Sequence, residues 1–426
     1  MKGGRPDGTV RPDHRLHHDG VPAPRGRCVH LQAGVAAGEE FREGLASIGS
    51  IFIPVGGMMS IIPFLADGID KWIAPVYRWM HSDAAVAVSS FIPADQGAYQ
   101  LSHEVAGSHN AWILAFAVAM TAGATIAFSV PVGLAMLPKK DHKYMALGVM
   151  TGLLGIPFAA FFMTLILSQT GVLLREDVST DSEASKPFDL PVGDILLNLI
   201  PLVLLMVVLA MLLKFFPRQS ISGFMAFGQL IRGVTAAALA LGIVEYFTGV
   251  FSWLFGSWGL APFIADEEDQ FRALEVAGYV GVMLAGAFPM VYAIRTWLEK
   301  PLAALGNRVG VSEAGMTGFF AGAANVLALF RVVPLMPARD KVLTISFAVC
   351  AGFAIGDYVA FTANFQPNMI GAMLVGKLLG GVVAIGLALW LAVPQAERLA
   401  AEDEAAGVRH AADSVDPDAG EFAERV

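Results

Sequence analysis

The chain has 426 residues, of which 55% are hydrophobic and only 15% charged, whereas a soluble domain carries about 25% charged residues. Charge this sparse does not cover a water-exposed surface, which argues against an ordinary soluble enzyme. Most of the net charge of −9 lies in residues 395–426, which hold nine acidic and three basic residues. Cys28 and Cys350 are too few for a disulfide framework, and no phosphate-binding loop motif is present.

A polar leader opens the chain. Residues 1–40 contain no apolar run, so they are not a signal peptide, and we predict that they are disordered or a wrongly assigned start. His14, His17 and His18 lie there, but we expect no metal site and no cofactor. At the other end, residues 395–426 are predicted to be an acidic, disordered tail.

Ten apolar segments follow the leader. A helix needs about 20 apolar residues to cross a bilayer, and most of the segments are long enough, although the second and eighth are short. The sequence therefore predicts an all-α polytopic membrane protein with about 8–10 transmembrane helices. The segments lie at 44–66, 84–94, 111–138, 144–174, 195–213, 233–260, 276–294, 314–330, 342–365 and 369–394.

The charges of the connecting loops predict the topology. Basic loops are expected in the cytoplasm, and the loops on both sides of segment 314–330 are basic. We therefore expect this segment to enter the membrane from the cytoplasm and to return. Loops 175–194 and 266–275 are acidic and are placed outside. The same reasoning makes segment 84–94 enter from the outside and return.

Weak internal repetition supports this topology. The sequence Ser-Asp-Ala at 82–84 resembles Ser-Glu-Ala at 312–314, and Asp95 falls on Asn325 at the same offset of 230 residues. These matches predict a membrane repeat A over 41–174 and a repeat B over 271–394, inverted relative to each other. The linker, 175–270, would contribute two transmembrane helices. Inverted repeats with short or broken helices at matching positions are typical of transporters.

Several longer motifs carry a family resemblance. They are EFREG at 40–44, EVAG at 104–107, FSVPV at 128–132, LNLIP at 197–201, RALEV at 272–276, WLEKPL at 297–302, AIGD at 354–357 and VGKLLGG at 375–381. From about residue 40 to 394 the chain resembles the ethanolamine-utilisation permease family, the EutH type. The resemblance implies uptake of ethanolamine across the bacterial cytoplasmic membrane. It implies no enzymatic activity and no nucleic-acid partner.

The sequence departs from that family in two places. The family usually begins with a further hydrophobic helix, where this chain has its polar leader. After Asp95 the family tends to have a glycine-rich stretch, where this chain has Gln96-Gly-Ala-Tyr99. The second departure lies beside a candidate site and could shift selectivity.

The expected substrate directs attention to carboxylates inside the membrane. Ethanolamine is an ammonium with one hydroxyl at neutral pH, and an ammonium needs a carboxylate or aromatic faces. Asp95 ends the short second segment, and Asp357 lies within a span. Such residues are expensive to bury and usually serve a function or a partner. For Asp357 the alternative is a structural ion pair with Lys377, the lone cation of the last span.

The predicted substrate site adds neighbouring aromatic and amide side chains to these carboxylates. It consists of Asp95, Gln96, Tyr99, Asn325, Asp357, Tyr358, Phe361 and Lys377. Two other functions are compatible with these residues. One is a permease for nucleosides or another small polar solute. The other, more remote, is an intramembrane aspartyl protease, which also needs two carboxylates, although AIGD lacks the first glycine of the motif of those enzymes.

Overall fold

The structure, a computed structural model, describes residues 25–180, 182–256, 259–267 and 272–406. Over 25–35, at 295 and over 298–309 it describes the main chain only. The first helices are α1 (Arg25–Trp72), α2 (Ala74–Trp79), α3 (Ala84–Phe91), α4 (Ala98–Val105), α5 (His109–Val118), a π-helix (Ala119–Ser129), α6 (Val130–Met136) and α7 (His142–Thr170). A two-stranded antiparallel sheet follows, made of β1 (Leu173–Arg175) and β2 (Ala184–Pro187).

The remaining elements are again helices. They are α8 (Val192–Phe215), α9 (Pro217–Thr248), α10 (Val250–Phe255), α11 (Ala273–Val309), α12 (Glu313–Ala324), α13 (Val326–Val332), α14 (Ala338–Ala351), α15 (Asp357–Phe365), α16 (Ile370–Leu391) and α17 (Val393–Ala405). Short 3₁₀ turns lie at Ala94–Gln96, Lys139–Asp141, Val333–Leu335 and Pro367–Met369.

Seven helices in the described part of the chain are long and apolar enough to cross a membrane. They confirm the predicted all-α polytopic membrane fold. An eighth candidate, formed by α14 and α15, is interrupted at residues 352–356, so neither half is long enough by itself. The seven continuous helices and this broken one together reach the lower end of the predicted range of 8–10.

The two termini differ from the prediction. Helix α1 begins at Arg25, so residues 25–40, predicted to be disordered, are helical, whereas residues 1–24 lie outside the described residues. At the other end α17 continues to Ala405, and its Asp403 accepts a hydrogen bond of 2.9 Å from the Tyr144 hydroxyl and pairs with Lys143. This contact and the burial of Ala396 explain why the first part of the acidic tail is ordered.

Helices α3 and α4 form a helical hairpin, which we call hairpin A (residues 84–105). The carboxylate of Asp83 caps α3 by accepting from Ala85 N at 2.9 Å. Its second oxygen accepts from Gly107 N, also at 2.9 Å. Asp83 and Gly107 lie at the two ends of the hairpin. Because they are hydrogen-bonded to each other, the hairpin begins and ends at the same place in the structure.

Residues 313–335 form a second hairpin, hairpin B. Its two ends also meet, because Asp340 accepts a 2.8 Å hydrogen bond from Ser312 N and Arg339 donates to the Gly310 carbonyl. The out-and-back path of both hairpins agrees with the predicted re-entrant segments. Their entry into the membrane from opposite faces stays a prediction.

The long helices that correspond at the offset of 230 residues pack against each other in antiparallel pairs. In the pair α7 and α16, Gly376 lies against Met163 and Gly380 against Ala159. In the pair α1 and α11, Gly44 contacts the main chain at Ala285. Residue numbers rise in one helix as they fall in the other, and glycine allows the close approach. This antiparallel packing supports the inverted-repeat prediction without testing it against a bilayer.

Candidate functional site

The tip of hairpin A, residues 92–97 (tip A), packs on the π-helix. A Cβ placed on Gly123 would lie 2.2 Å from the carbonyl oxygen of Ile92, so only glycine permits this contact. Gly97 turns the tip with a φ of 90°, a left-handed conformation that favours glycine. A π-helix redirects main-chain carbonyls and is frequent at functional sites. Tip A therefore lies on the irregular part of the helix that follows it.

The tip of hairpin B, residues 322–325 (tip B), packs in the same way on the break between α14 and α15. Phe353 N donates to the Gly322 carbonyl at 3.2 Å, and Ile355 N donates to the Ala323 carbonyl at 3.0 Å. A Cβ on Gly356 would lie 2.1 Å from the Ala324 oxygen. Each half of the molecule thus places a hairpin tip on an irregular helix segment.

Asp95 and Asp357 come together although 262 positions separate them in the sequence. Asp95 lies in tip A, and Asp357 is the first residue of α15. Asp357 lies within the electrostatic range of Asp95, and both carboxylates lie within that range of the Tyr358 hydroxyl. In the described part of the chain neither of them forms a salt bridge. Neither carboxylate is therefore neutralised by an ion pair in this part of the chain.

Three buried polar atoms that accept or donate no hydrogen bond lie in residues 89–96. Within the described residues, the Ser89 hydroxyl, the Oδ1 oxygen of Asp95 and the Oε1 oxygen of Gln96 are enclosed and accept or donate no hydrogen bond. Buried polar groups are normally satisfied, and each exception calls for an explanation. All three atoms lie in α3 or in the 3₁₀ turn of tip A, which makes this tip the natural place for a polar ligand.

Lys377 lies in the same region but has other partners than expected. Its ammonium donates to the Met120 carbonyl in the π-helix and stands over the Tyr358 ring, 4.7 Å from the ring centre. The alternative of a structural ion pair between Asp357 and Lys377 is therefore wrong for this structure. The physical reason is that the π-helix carbonyl and the aromatic face already satisfy the ammonium.

The aromatic residues of the predicted site form a column toward the sheet. The Tyr99 ring packs on Phe365, with 4.5 Å between ring centres, and its hydroxyl accepts from Gln366 Nε2 at 2.9 Å. Phe361 lies between Tyr358 and Phe365, at 6.5 Å and 5.9 Å. Tyr358 directly follows Asp357 in α15, and Phe361 contacts the Tyr358 ring, whereas the Tyr99 hydroxyl already accepts a hydrogen bond.

Asn325, the counterpart of Asp95, caps a helix. Its Oδ1 accepts from Leu327 N at 2.8 Å at the start of α13. Because Asn325 Oδ1 already accepts this main-chain hydrogen bond, it is less available to accept one from a substrate hydroxyl.

Polar networks lie on two sides of the candidate site. On the side of the sheet, Arg175 donates to the carbonyls of Asn364 and Phe365, where α15 ends. On the other side, Lys341 and Asp141 form a buried ion pair at 2.7 Å. The sequence did not indicate these residues, because their partners lie about 190 to 200 positions away.

A separate cavity of about 390 Å³ does not belong to the carboxylate site. Phe91, Leu209, Phe216 and Phe224 line it together with other mainly apolar residues. It contains no charged side chain, so a lipid chain suits it better than a cation. Among all the residues that the structure describes, no group of three or more side chains could hold a metal ion, and His14, His17 and His18 lie outside the described residues.

The comparisons with known proteins identify the family. A family model described as "Ethanolamine utilisation protein, EutH" matches residues 29–391. The chain belongs to this EutH family. Its similarity to the family begins at residue 29, within the predicted leader, which agrees with the early start of α1.

Individual EutH relatives are similar over most of their length. A probable ethanolamine permease EutH of Salmonella typhimurium (strain LT2) is 33% identical over 87% of this chain and 88% of its own. The probable ethanolamine permease EutH of Escherichia coli (strain K12) is 32% identical with the same coverage. The one of Listeria monocytogenes (serotype 1/2a) is 30% identical over 87% of this chain and 91% of its own. No solved structure matches.

Membership of the EutH family confirms the predicted resemblance. Together with the seven candidate spans, it makes this chain a multi-pass protein of the bacterial inner membrane with the role of a permease.

Proposed function

We propose that the protein takes up ethanolamine and binds its ammonium between Asp95 and Asp357. The observation that carries the proposal is the pair of neighbouring carboxylates that lack a cationic partner in the described part of the chain. A small monocation supplies a positive partner for them. The names of three relatives as probable ethanolamine permeases support this choice of cation.

The neighbouring side chains suit the rest of that molecule. Gln96 Oε1, buried and without a partner among the described residues, can accept the hydrogen bond of the ethanolamine hydroxyl. Tyr358 and Phe361, each 2% exposed, give Asp357 a buried aromatic neighbourhood on α15. Low surrounding polarity strengthens the attraction between ammonium and carboxylate. Tyr99, Asn325 and Lys377 take supporting roles, because their polar groups already have protein partners.

The surrounding fold suits a carrier. Substrate sites of many carriers lie near the membrane midplane, where broken helices of two inverted repeats meet. Here tip A, the π-helix and the start of α15 come from both halves of the chain. The antiparallel pairs α1–α11 and α7–α16 provide surfaces on which one half can move against the other.

Uptake by the purified protein in vesicles tests the substrate. Labelled ethanolamine is supplied together with a competing compound. Propylamine retains the ammonium but lacks the hydroxyl, and ethylene glycol retains a hydroxyl but lacks the charge. We expect propylamine to compete measurably and ethylene glycol not at all. Equal competition by ethylene glycol, or stronger competition by uridine than by unlabelled ethanolamine, would favour a neutral polar substrate instead.

Charge-neutral variants test the residues. Removing one partner of a buried charge pair costs about 2–5 kcal/mol, so Asp95→Asn and Asp357→Asn should each weaken uptake at least about 30-fold. Asp70→Asn, at an exposed carboxylate near the end of α1, is the matched control and should leave uptake unchanged. Full uptake by both site variants at normal abundance would remove these carboxylates from the site.

A further inference from the structure

The two-stranded sheet of β1 and β2 has no part in the proposed substrate site. Leu174 pairs with Lys186 across the two strands, and the Leu174 side chain is completely buried. The sheet therefore lies against the helices instead of extending away from them. Arg175, the last residue of β1, makes polar contacts to two of these helices.

The main chain of Arg175 connects the two halves of the molecule. Its carbonyl oxygen accepts a hydrogen bond from His109 Nε2 at 2.9 Å, at the start of α5 in the first half. Its N–H donates to Gln366 Oε1, also at 2.9 Å, directly after α15 in the second half. Gln366 is only 1% exposed and also donates to the Tyr99 hydroxyl. A displacement of α15 away from α5 therefore breaks at least one of these hydrogen bonds.

The guanidinium of Arg175 binds the carboxyl-terminal end of α15. It donates to the carbonyls of Asn364 and Phe365, and a 2.8 Å hydrogen bond to the Ser182 carbonyl orients it. The last carbonyls of a helix lack partners within the helix, and a cation is favourable there. Helix α15 has nine residues and begins with Asp357, so its two ends are about 12 Å apart. Arg175 thus holds one end of the helix whose other end carries a carboxylate of the proposed site.

A column of aromatic rings fills the space between these two ends. It runs from Tyr99 through Phe365 and Phe361 to Tyr358, with ring centres 4.5, 5.9 and 6.5 Å apart. Each of the four side chains is at most 2% exposed. A solute that comes from the side of the sheet therefore reaches Asp357 along this face of α15 only after the rings have separated.

We propose that the β1–β2 sheet is a gate over the substrate site and that Arg175 is the latch that keeps it closed. The structure shows the latched state. In the open state α15 leaves the guanidinium, Gln366 releases the main chain of Arg175, and the aromatic column separates. Carriers with inverted repeats expose a central site by moving one repeat against the other, and Arg175 lies where the two halves meet.

The direction of this gate follows from the predicted topology. The acidic loop 175–194 is placed outside, so the gate controls entry from the outside. The inference rests on the proposed function, because it takes Asp357 as the inner end of the path that the gate closes.

A cysteine between the latch and the site reports whether the gate is open. Thr362 lies in α15, is completely buried, and has its hydroxyl 3.6 Å from Met120 Sδ in the π-helix. Thr362→Cys is introduced into the full-length protein after replacement of its two native cysteines. A membrane-impermeant thiol reagent is applied from outside to intact cells and from the cytoplasmic side to inverted vesicles. The rate of labelling is measured with and without excess ethanolamine.

Loss of the latch should open the gate on the outer side only. Because hydrogen bonds from a charged donor hold the closed state, Arg175→Met should accelerate labelling from outside at least about tenfold. Labelling from the cytoplasmic side should stay unchanged. Excess ethanolamine should slow the faster labelling at least about threefold, since an ammonium between Asp95 and Asp357 joins the two halves and favours closure.

Two further variants control for charge. Arg175→Lys keeps the positive charge but loses the fork of donors, so its labelling rate should lie between those of Arg175→Met and the protein with Arg175. Lys186→Met removes an exposed positive charge from β2 of the same sheet and should change nothing. The same acceleration in Lys186→Met as in Arg175→Met would overturn the latch.

The remaining outcomes separate this inference from the proposed function. The gate is overturned by an unchanged rate in Arg175→Met, by acceleration that includes the cytoplasmic side, or by acceleration that ethanolamine does not reduce. In each case uptake by the wild-type protein still decides the proposed function, and absence of that uptake would overturn both. If Arg175→Met fails to reach the membrane, Gln366→Leu replaces it, because it removes the acceptor of the Arg175 N–H and keeps the guanidinium. Labelling from outside should then become at least about threefold faster, and an unchanged rate would contradict the proposal.

Discussion

Tip A and tip B occupy corresponding places in the two halves of the molecule, yet their polar residues behave differently. Asp95 in tip A keeps an enclosed oxygen without a partner among the described residues. Asn325, at the same position of tip B, gives its oxygen to the main chain at the start of α13. In both halves the tip packs on an irregular helix segment through a glycine, Gly123 or Gly356.

The two tips share a backbone arrangement but differ in the polar side chains that they present. A repeated backbone arrangement brings the two hairpins and the two irregular segments together. Only the first tip offers a carboxylate to a ligand, and only the second irregular segment, through Asp357, supplies another. The proposed function requires such a difference, because ethanolamine carries an ammonium at one end and a hydroxyl at the other.

The largest expected effect concerns the side of the membrane on which each hairpin begins. We expect His81→Cys, at the base of hairpin A, to react with a membrane-impermeant thiol reagent applied outside. Ser312→Cys and Ala338→Cys, at the base of hairpin B, should react only with a permeant reagent. The measurement uses a protein whose two native cysteines are replaced. Labelling of Ser312→Cys and Ala338→Cys from opposite sides would show that hairpin B crosses the membrane.

Exchanging the two polar residues between the tips tests whether they are equivalent. The double variant Asp95→Asn with Asn325→Asp keeps the total charge and moves the carboxylate to tip B. Because the oxygen at position 325 caps α13, we expect uptake to remain at least about 30-fold below wild type, as for the loss of one buried charge partner. Recovery to wild-type uptake would mean that both tips face the substrate equally.

The next largest effect is a loss of thermal stability when the glycines that contact the two tips are replaced. Gly123→Ala and Gly356→Ala place a methyl group 2.2 Å and 2.1 Å from main-chain oxygens. Overpacking of this kind costs about 1–3 kcal/mol, so both variants should unfold at lower temperature in detergent. Gly386→Ala in α16, which meets nothing within 4 Å, is the matched control. A thermal midpoint unchanged from wild type in either test variant would show that the tips are not held against the helices.

The smallest effect is expected at the cap of α13. Asn325→Ala removes a helix cap, which costs about 1 kcal/mol, and should lower the thermal midpoint slightly. Asn325→Asp keeps an oxygen for Leu327 N and should retain the wild-type midpoint. A loss of uptake as large as that of Asp95→Asn in the stable Asn325→Asp variant would place position 325 in the substrate site after all.

Much of this fold could be predicted from the sequence, because apolar length and loop charge depend only on residues that are neighbours in the chain. Apolar length predicts each long helix, and basic loops on both sides of residues 314–330 predict that this segment turns back. The exposed lipid-facing side chains of α8, such as Leu204 and Val208, follow from the same composition. The limits of α1 and α17 were missed. For α17 the reason is tertiary packing, because Ala396 is buried in the core and Asp403 binds Tyr144 and Lys143.

The amino-acid sequence by itself determined that this is a helical membrane protein, that Asp95, Asp357 and Lys377 lie in or beside apolar segments, and that Asp95 and Asn325 share an offset of 230 residues. Those conclusions rest on composition, length and spacing along one chain. Only the tertiary structure decided which groups these polar and charged side chains interact with. It brought Asp95 within the electrostatic range of Asp357, gave the oxygen of Asn325 to α13, and placed the Lys377 ammonium on Met120 and Tyr358 instead of Asp357. Hydrogen bonds and charges act over a few ångströms, so their outcome depends on which distant segments the packing brings together.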